Sequence, residues 1–390
     1  MKTNEPSWRE AGKIAYRSFP ALEVERVSIS QCAERILAQD VRALCDLPTY
    51  TTSAMDGYVV CGTGPWHIEG DIKAGKIFER KLNDGQAVRI ATGAVIPEGS
   101  YGVLRWEDAR IVGSLLSGEV EHNQDIRPAG YECREGDLLV AKGTRLSPSQ
   151  IGLLAAAGFD EISISKRPRI SLITFGDELQ FSGVPSEGLV RDSLGPQIPA
   201  WLQRLSAEII SSSHVDDNLD LVVNAMSEEI EKCDFLITTG GTADGPRDHM
   251  RAALAAIGAE FCVDRVRVRP GHPMILASTR NKKNRLIPIL GLPGNPQSAI
   301  VGLMTLGIPV LNALTGSAPA TTERAVSATD LQAPANFTRL VLGNLVEGKF
   351  IEGDHLGSAM LRGLANSGGF AVVQDGLTPA GKGIEWLALP

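Results

Sequence analysis

The chain has 390 residues, of which 43% are hydrophobic and 22% are charged, and its formal net charge at pH 7 is −8. It is too long for one small domain, and its acidic balance argues against nucleic-acid binding or a membrane-surface role. The scattered cysteines and histidines form no C-x-x-C pair and no zinc-site spacing, which indicates a cytoplasmic protein with reduced thiols. We expect no signal peptide and no apolar run of membrane-spanning length.

The N-terminal segment reads as helical. Residues 7–40 carry a helix-like pattern with a polar interruption near 25–28. Ser30 could cap a second helix over 31–39, because its hydroxyl can accept from a free N–H in the first turn. We therefore predict two helical pieces before residue 41.

The character of the chain changes after these helices. Residues 41–136 are rich in glycine and in short β-like runs, which predicts an inserted all-β module with many turns. Residues 137–165 return to a strand and a helix that Ser147 can cap. Residues 1–40 and 137–165 have a similar pattern of elements, so we expect them to form one elongated, helical stalk that flanks the β module.

Strands and helices alternate over residues 166–317, and residues 318–390 revert to short β-like runs. The alternation predicts a three-layer α/β domain with a mostly parallel sheet, and the tail predicts a small C-terminal β domain. The fold class is thus multidomain α/β plus β. We expect strands near 169–174, 207–214, 234–239, 261–268 and 286–291, and helices near 196–205, 218–231, 247–257 and 295–313.

The run 286–300 is the most informative stretch of the α/β domain. A short apolar strand enters a Gly/Pro turn, and an apolar helix follows at once. Asn295 can cap this helix, Pro296 suits its first position, and the free N–H groups and helix dipole favour an anion. Segments 235–245 and 170–179 have the same shape. Three such strand ends on one sheet predict a crevice for a phosphorylated ligand.

Each polar motif in these loops has a structural and a functional interpretation. Gly240 and Gly241 either make a tight strand-to-helix turn or let the backbone approach a ligand closely. Asp177 and Glu178, after Gly176, either stabilise a helix start or hold Mg²⁺ together with substrate phosphate oxygens.

Further acids precede predicted helices. Asp192 and Asp248 lie in loops beside helix starts, whereas Asp216 and Asp217 are interpreted as turn or capping residues.

Three further segments stand out. Asp56 lies among small residues in a loop that enters the β module, and Thr92 follows a strand beside a glycine. Arg269 and His272 surround a Pro-Gly turn and form a local basic patch in an acidic chain. The patch is either a solvated edge or a contact for phosphate or another oxyanion.

The ordered motifs resemble those of the MoeA/gephyrin family, the molybdopterin molybdenumtransferases. The resemblance covers nearly the whole chain, including the tail around 358–361. It rests on Ser53-Ala54-Met55-Asp56-Gly57-Tyr58, Thr92-Gly93-Ala94, Gly176-Asp177-Glu178-Leu179, Gly240-Gly241, Arg269-Pro270-Gly271-His272-Pro273 and Gly291-Leu292-Pro293-Gly294-Asn295-Pro296.

This resemblance implies molybdenum cofactor biosynthesis. Adenylylated molybdopterin and molybdate are the implied substrates, Mg²⁺ assists, and AMP is released. It also implies four domains, and a homodimer whose active site lies between the α/β domain of one subunit and the β module of the other. An upstream adenylyltransferase and downstream molybdoenzymes are the implied partners.

The motif positions carry the implied roles. Catalytic roles fall on Asp56, Thr92, Glu178, Arg269 and His272, and the metal region on Asp177 and Glu178. Substrate binding falls on Gly176, Asp192, Gly240, Gly241, Asp248, Pro293, Gly294, Asn295, Pro296 and Ser298.

The sequence departs from the family pattern at Phe175, Leu194 and Asp244, and at Arg269 and His272, where the family usually has lysines; Glu132 stands where the family has an aspartate. Arginine and lysine are not interchangeable at an oxyanion site, and histidine is a weaker cation near neutral pH. These departures leave a second hypothesis open, a non-catalytic molybdopterin-binding or scaffold protein. An enzyme for another phosphorylated pterin or nucleotide is a third.

Overall fold

A six-stranded sheet forms the centre of the computed structural model, which describes residues 5–243, 245 and 248–390. Four strands are parallel. Ile275–Arg280 is antiparallel to both of its neighbours, Leu286–Leu292 and the edge strand Glu260–Asp264. The predicted strand–helix alternation is confirmed, although the antiparallel strand Ile275–Arg280 was not predicted. The strand order is Glu208–Val215, Arg169–Phe175, Phe235–Thr239, Leu286–Leu292, Ile275–Arg280 and Glu260–Asp264.

Helices cover both faces of this sheet because its central strands are apolar on both sides. One buried cluster joins the sheet to Trp8–Arg17, Leu194–Arg204 and the long helix Pro296–Thr315. A second cluster on the opposite face joins it to Leu219–Ile230 and Met250–Ala256. The carboxyl ends of the parallel strands therefore open between two helical layers.

The helix Pro296–Thr315 is long and apolar enough to cross a membrane by length and composition alone. Our expectation that no run reaches that length was therefore wrong. The helix is 89% buried within the structure, which is typical of a core helix. It runs through Pro296–Gly302, a π-helical turn at Leu303–Gly307, and Ile308–Thr315.

The second predicted N-terminal helix is absent. Trp8–Arg17 is helical as predicted, but residues 31–39 form only the end of a 3₁₀ turn, Ile29–Gln31, followed by turns and isolated bridges. Glu34 has φ = 61°, a left-handed conformation that ends any right-handed helix there. The helical character predicted for the stalk is therefore wrong at this segment.

The two segments of the predicted stalk, 1–40 and 137–165, associate through one pair of strands, but the first helix packs elsewhere. The strand Val24–Ser28 pairs antiparallel with Glu161–Ser165, and Pro148–Ala156 is capped by Ser147 through a capping box. The helix Trp8–Arg17, however, buries Ala11 and Ala15 against the α/β core rather than against 137–165. The predicted domain division as a whole stays a prediction.

Residues 41–136 fold as β-structure around a six-stranded sheet of mixed direction. Outside this sheet, Thr52–Ser53 pairs with Ile126–Arg127, and Val41–Arg42 pairs with Leu138–Val140. The sheet order is Gly102–Arg105, Gly57–Val60, Gln86–Ile90, Trp66–Ile72, Leu115–Ser117 and Arg110–Val112.

The C-terminal segment closes into a five-stranded barrel, because Thr338–Val346 pairs with both Lys349–Glu352 and Gly369–Val373. The remaining strands are Glu323–Ser327 and Gly383–Ala388. A short strand of the α/β domain, Val268–Arg269, pairs in parallel with Thr338–Val346 and places Arg269 beside Arg339.

Short elements also occur elsewhere along the chain. They are Trp106–Asp108, Leu179–Gln180, Val190–Arg191, Leu331–Ala333, Leu361–Ala365 and Gly376–Thr378.

Candidate functional site

Three glycine-bearing loops meet at the carboxyl ends of the central strands and enclose a crevice of about 640 Å³. The Gly240 N–H donates to the Leu292 carbonyl at 2.9 Å, which joins two of the loops. Gly240 has φ = 90°, and a Cβ there would lie 2.8 Å from the Phe175 carbonyl oxygen. Only glycine fits this position without strain. The predicted residues that line the crevice are Gly176, Glu178, Asp192, Gly240, Gly241, Asp248, Pro293, Gly294, Asn295 and Pro296.

Phe175, one of the departures from the family pattern, is among the residues that line this crevice. Its side chain is buried, belongs to the apolar cluster that also contains Val222, Met226 and Met250, and would lie 3.6 Å from a Cβ at Gly241. The other departure in the glycine loop, Asp244, lies outside the described residues.

The start of the helix Pro296–Thr315 forms one wall of the crevice. Asn295 occupies the N-cap position, but its side chain makes no capping hydrogen bond, which corrects the predicted cap. The N–H groups of Gly294 and Asn295 donate to no acceptor among the described residues. They are thus available to an anionic ligand.

Two predicted binding acids hold the loops of the crevice. Asp192 Oδ1 accepts from the N–H groups of Leu194 and Gly195 at 3.0 and 2.9 Å and caps the helix Leu194–Arg204. Asp248 accepts from the N–H groups of Ala243 and Gly245 at 3.2 and 2.6 Å. Both carboxylates line the crevice and fix the backbone that surrounds a ligand.

The predicted metal acids take different positions. Glu178 lines the crevice, whereas Asp177 does not and instead accepts from the Asp217 N–H at 2.9 Å. Asp217, interpreted from sequence as a turn residue, lines the crevice, and Asn218 caps the following helix. In the part of the chain that the structure describes, no three His, Cys, Asp or Glu side chains could together hold a metal.

The carboxyl of Asp217 is held in an unfavourable environment for a charge. Burial raises its pKa above the usual 3.8, and the charges of Asp177 and Glu178 act in the same direction. The pKa is thus higher in the folded state than in the unfolded state. Asp217 therefore contributes stability at low pH that is lost as the pH rises through the folded pKa.

Asp217→Asn should remove the loss of stability that ionisation of Asp217 causes at neutral pH. We expect the variant to unfold at a higher temperature than the wild type at pH 7, and the difference to be smaller at about pH 4, because Asp217 takes up a proton as the pH falls. Calorimetric scans at both pH values measure this, with the exposed neighbour variant Asp216→Asn as the control. The prediction would be contradicted if the variant gained less in unfolding temperature over the wild type at pH 7 than at pH 4.

A second cavity of about 430 Å³ adjoins the crevice, and the two share Pro273, Pro293 and Asn295. Arg269 lines it from the α/β domain, and Arg339 lines it from the barrel. The two arginines lie opposite each other because their strands pair in register. Ser298 lines this cavity rather than the crevice.

His272 also lines the second cavity, but it has a carboxylate partner. Its Nε2 lies 3.1 Å from Glu5 Oε2, and its ring contacts that of Phe337 with a centroid distance of 5.4 Å. The guanidinium of Arg269 lies 5.2 Å from the same Phe337 ring. Part of any positive charge on His272 is therefore offset by Glu5, and part of that on Arg339 is offset by Glu352, whose Oε1 lies 3.5 Å from its guanidinium.

Gln297 connects both cavities to the barrel, and sequence reasoning missed it. Its buried side chain donates to the carbonyls of His355 and Met360 at 3.0 and 2.9 Å, and its N–H donates to that of Ser358 at 3.0 Å. The loop so held forms walls of both cavities: Leu356 and Ser358 line the basic one, and Ala359 and Leu361 line the crevice.

Gln297→Leu should release this loop. The carbonyls of His355 and Met360 lose their donors, so we expect the unfolding free energy to fall by about 1–3 kcal/mol. Amide exchange over 354–361 should be faster, as read by mass spectrometry. Gln332→Leu, at the exposed position of the strand Leu331–Ala333, is the matched control. Unchanged exchange in 354–361 would contradict the clamp.

Asp56 and Thr92 lie together on the β module and line neither cavity. Asp56 Oδ1 accepts from the Thr92 N–H at 2.6 Å and from its hydroxyl at 3.0 Å. These hydrogen bonds, with a smaller contribution from Arg89, lower the pKa of Asp56. The carboxylate is exposed and ionised at neutral pH. Sequence reasoning named both residues but did not predict this contact.

Known proteins share this sequence and architecture. Residues 6–158 match the family profile of the MoeA N-terminal region (domain I and II), and residues 171–313 match that of a probable molybdopterin binding domain. The molybdopterin molybdenumtransferase of Bacillus subtilis (strain 168) is 30% identical over 350 residues, covering 84% of this chain and 80% of the relative. That of Staphylococcus aureus (strain N315) is 29% identical over 313 residues, covering 77% and 73%.

Solved structures show the same fold. The molybdopterin biosynthesis moeA protein from Pyrococcus horikoshii OT3 has a TM-score of 0.82 at 18% identity, over 99% of this chain and 100% of that one. At this identity the likeness concerns the fold alone. The resemblance predicted from the ordered motifs is confirmed by the profiles and by the relatives over most of the chain. The chain belongs to the MoeA family of molybdopterin molybdenumtransferases.

Proposed function

We propose that this protein inserts molybdenum into molybdopterin, using adenylylated molybdopterin and molybdate as substrates and releasing AMP. One observation carries the proposal: a crevice with open helix N–H groups adjoins a smaller cavity lined by two arginines. The crevice suits a phosphorylated heterocycle, and the arginines suit a small oxyanion. The shared wall at Pro293 and Asn295 would bring the two ligands together.

The residues have distinct roles in this reaction. Gly240, Gly241 and Gly294 let the backbone approach the ligand, and the N–H groups at the helix start offset phosphate charge. Arg269 and Arg339 hold molybdate through charge-assisted hydrogen bonds. Binding in adjoining cavities orients the dithiolene sulfurs toward the metal oxyanion, which lowers the entropic cost of their encounter.

We propose that Mg²⁺ assists in the crevice. The residues fit this ion only in part, since Glu178 and Asp217 supply carboxylates but no complete cluster exists among the described residues. Magnesium commonly takes one or two carboxylates and completes its shell with water and substrate phosphate oxygens. Bound there, the ion would offset the repulsion between these carboxylates and an anionic ligand.

We propose a homodimer with a shared site. Asp56 and Thr92 line neither cavity of their own chain, so a second subunit must supply them if they act on the ligands. A two-fold interface would place one β module at each crevice. Light scattering should give twice the chain mass of 41.6 kDa. A cytoplasmic location, an upstream adenylyltransferase and downstream molybdoenzymes belong to the same proposal.

A reconstituted assay tests the function directly. Purified protein, adenylylated molybdopterin, Mg²⁺ and molybdate should release AMP and yield molybdenum cofactor, and omitting molybdate should suppress the cofactor. Tight ligand binding without AMP release would instead favour a non-catalytic scaffold. The transferase names of the relatives favour turnover. Phe175, one reason for the scaffold hypothesis, lines the crevice but is only 5% exposed, so little of its side chain could block a ligand.

A further inference from the structure

One buried hydroxyl in the crevice has no hydrogen-bond partner. Thr239 ends the central strand Phe235–Thr239 and lines the crevice, yet only 1% of the residue is exposed. Its Oγ1 finds neither donor nor acceptor among the described residues. Buried polar groups are nearly always paired, so an unpaired hydroxyl at a ligand cavity indicates a partner that arrives with the ligand.

The neighbouring threonine on the same strand behaves differently. Side chains alternate along a strand, so Thr238 faces the opposite side of the sheet. Its Oγ1 contacts Met250 Sδ at 3.6 Å within the core. Thr239 instead lies on the face of the helix Leu194–Arg204, between Thr174 and Leu292 in the register of the sheet. Thr239 is therefore the position to test, and Thr238, one residue away, is its internal control.

The residues around Thr239 at the crevice are mostly glycines. Gly240 and Gly241 follow it with positive φ values, and neither carries a Cβ that would cover the hydroxyl. Gly294 lies next to the glycine pair, since a Cβ there would be 3.8 Å from Gly240 Cα. The available N–H groups of Gly294 and Asn295 border the same cavity and favour an anion.

We propose that the Thr239 hydroxyl donates a hydrogen bond to a phosphoryl oxygen of the ligand that occupies the crevice. This inference rests on the proposed function, which supplies two such oxygens: the adenylate phosphate and the pterin phosphate. A neutral donor suits this depth, because a buried cation without the ligand would be unstable. Thr239 is thus a buried binding residue next to the glycine pair of the crevice.

The experiment uses Thr239→Val, which replaces the hydroxyl by a methyl of the same shape. Calorimetry of the full-length protein with AMP and, separately, with molybdopterin should show roughly tenfold to hundredfold weaker binding of at least one probe. Thr239→Ser should bind as the wild type does, and the control Thr238→Val should also leave both affinities unchanged. Loss for one probe identifies which phosphate the hydroxyl contacts.

The unliganded proteins provide the second measurement. Removing an unpaired buried hydroxyl should leave the melting temperature of Thr239→Val unchanged or raised. A clear drop would show that the hydroxyl has a partner within the fold, and would overturn the inference. Equal binding of both probes by wild type and Thr239→Val would overturn it while leaving the proposed function intact. A wild type that binds neither probe would overturn both.

Discussion

Asp56→Asn should reduce molybdenum insertion by roughly a hundredfold or more while leaving the protein folded. The asparagine oxygen can still accept from the Thr92 N–H and hydroxyl, so the loop keeps its hydrogen bonds and loses only its charge. The carboxylate is exposed and contributes little to packing, so its loss should affect chemistry rather than stability. The reconstituted assay measures the rate, and circular dichroism checks the fold.

Asp71→Asn is the matched control for this variant. Asp71 is an exposed acid of the same β module, and its Oδ1 lies 3.9 Å from Arg89, the arginine that also influences Asp56. Its replacement removes the same charge from the same surface and should leave insertion near the wild-type rate. An Asp56→Asn protein with the full rate would remove Asp56 from the proposed mechanism.

A hybrid dimer should recover activity from two inactive chains. One chain carries Asp56→Asn, and the other carries Gly240→Val, whose side chain would collide with the Phe175 carbonyl in a strained backbone. In a shared site, the intact crevice of the first chain meets the intact β module of the second. One of the two sites is then complete, so the hybrid should show about half of the wild-type activity.

Two affinity tags on co-expressed chains isolate the hybrid, and light scattering checks that each parent is a folded dimer. Glu178→Gln replaces Gly240→Val as the crevice variant if the valine prevents folding. A hybrid without activity, from parents that fold and dimerise, would place each site within a single chain. If the homodimer of either parent chain is active by itself, the residue replaced in that chain is not required for the reaction.

The central sheet could be predicted because its signals are local. The strand Phe235–Thr239 is an uninterrupted apolar run that ends at two glycines, and the helix Leu219–Ile230 shows its own cap and period. The strand Ile275–Arg280 was missed because it follows a Pro-rich turn and runs antiparallel to both of its neighbours. The helix predicted at 31–39 failed because Glu34 adopts a left-handed conformation that composition does not reveal.

The candidate site was predictable only where its residues belong to local motifs. Gly240, Asn295 and Arg269 stand in short, recognisable turns. Arg339 and Gln297 do not, because their places depend on contacts with distant segments, namely a strand of the α/β domain and the loop near residue 358.

Asp217 and Thr239 were missed for a different reason. Both lie at the ends of strands, where a sequence gives no measure of burial or of unpaired atoms. The pKa shift of Asp217 and the unpaired hydroxyl of Thr239 exist only in three dimensions.

The parallel pairing of Val268–Arg269 with the barrel strand Thr338–Val346 limits how this chain can be shortened or recombined. Leu340 and Phe370 of the barrel also share one apolar cluster with the sheet of the α/β domain. A protein truncated after residue 317 would expose an unpaired strand edge and an apolar surface, both of which promote aggregation. Chimaeras with a related chain should therefore exchange residues 166–390 as one block.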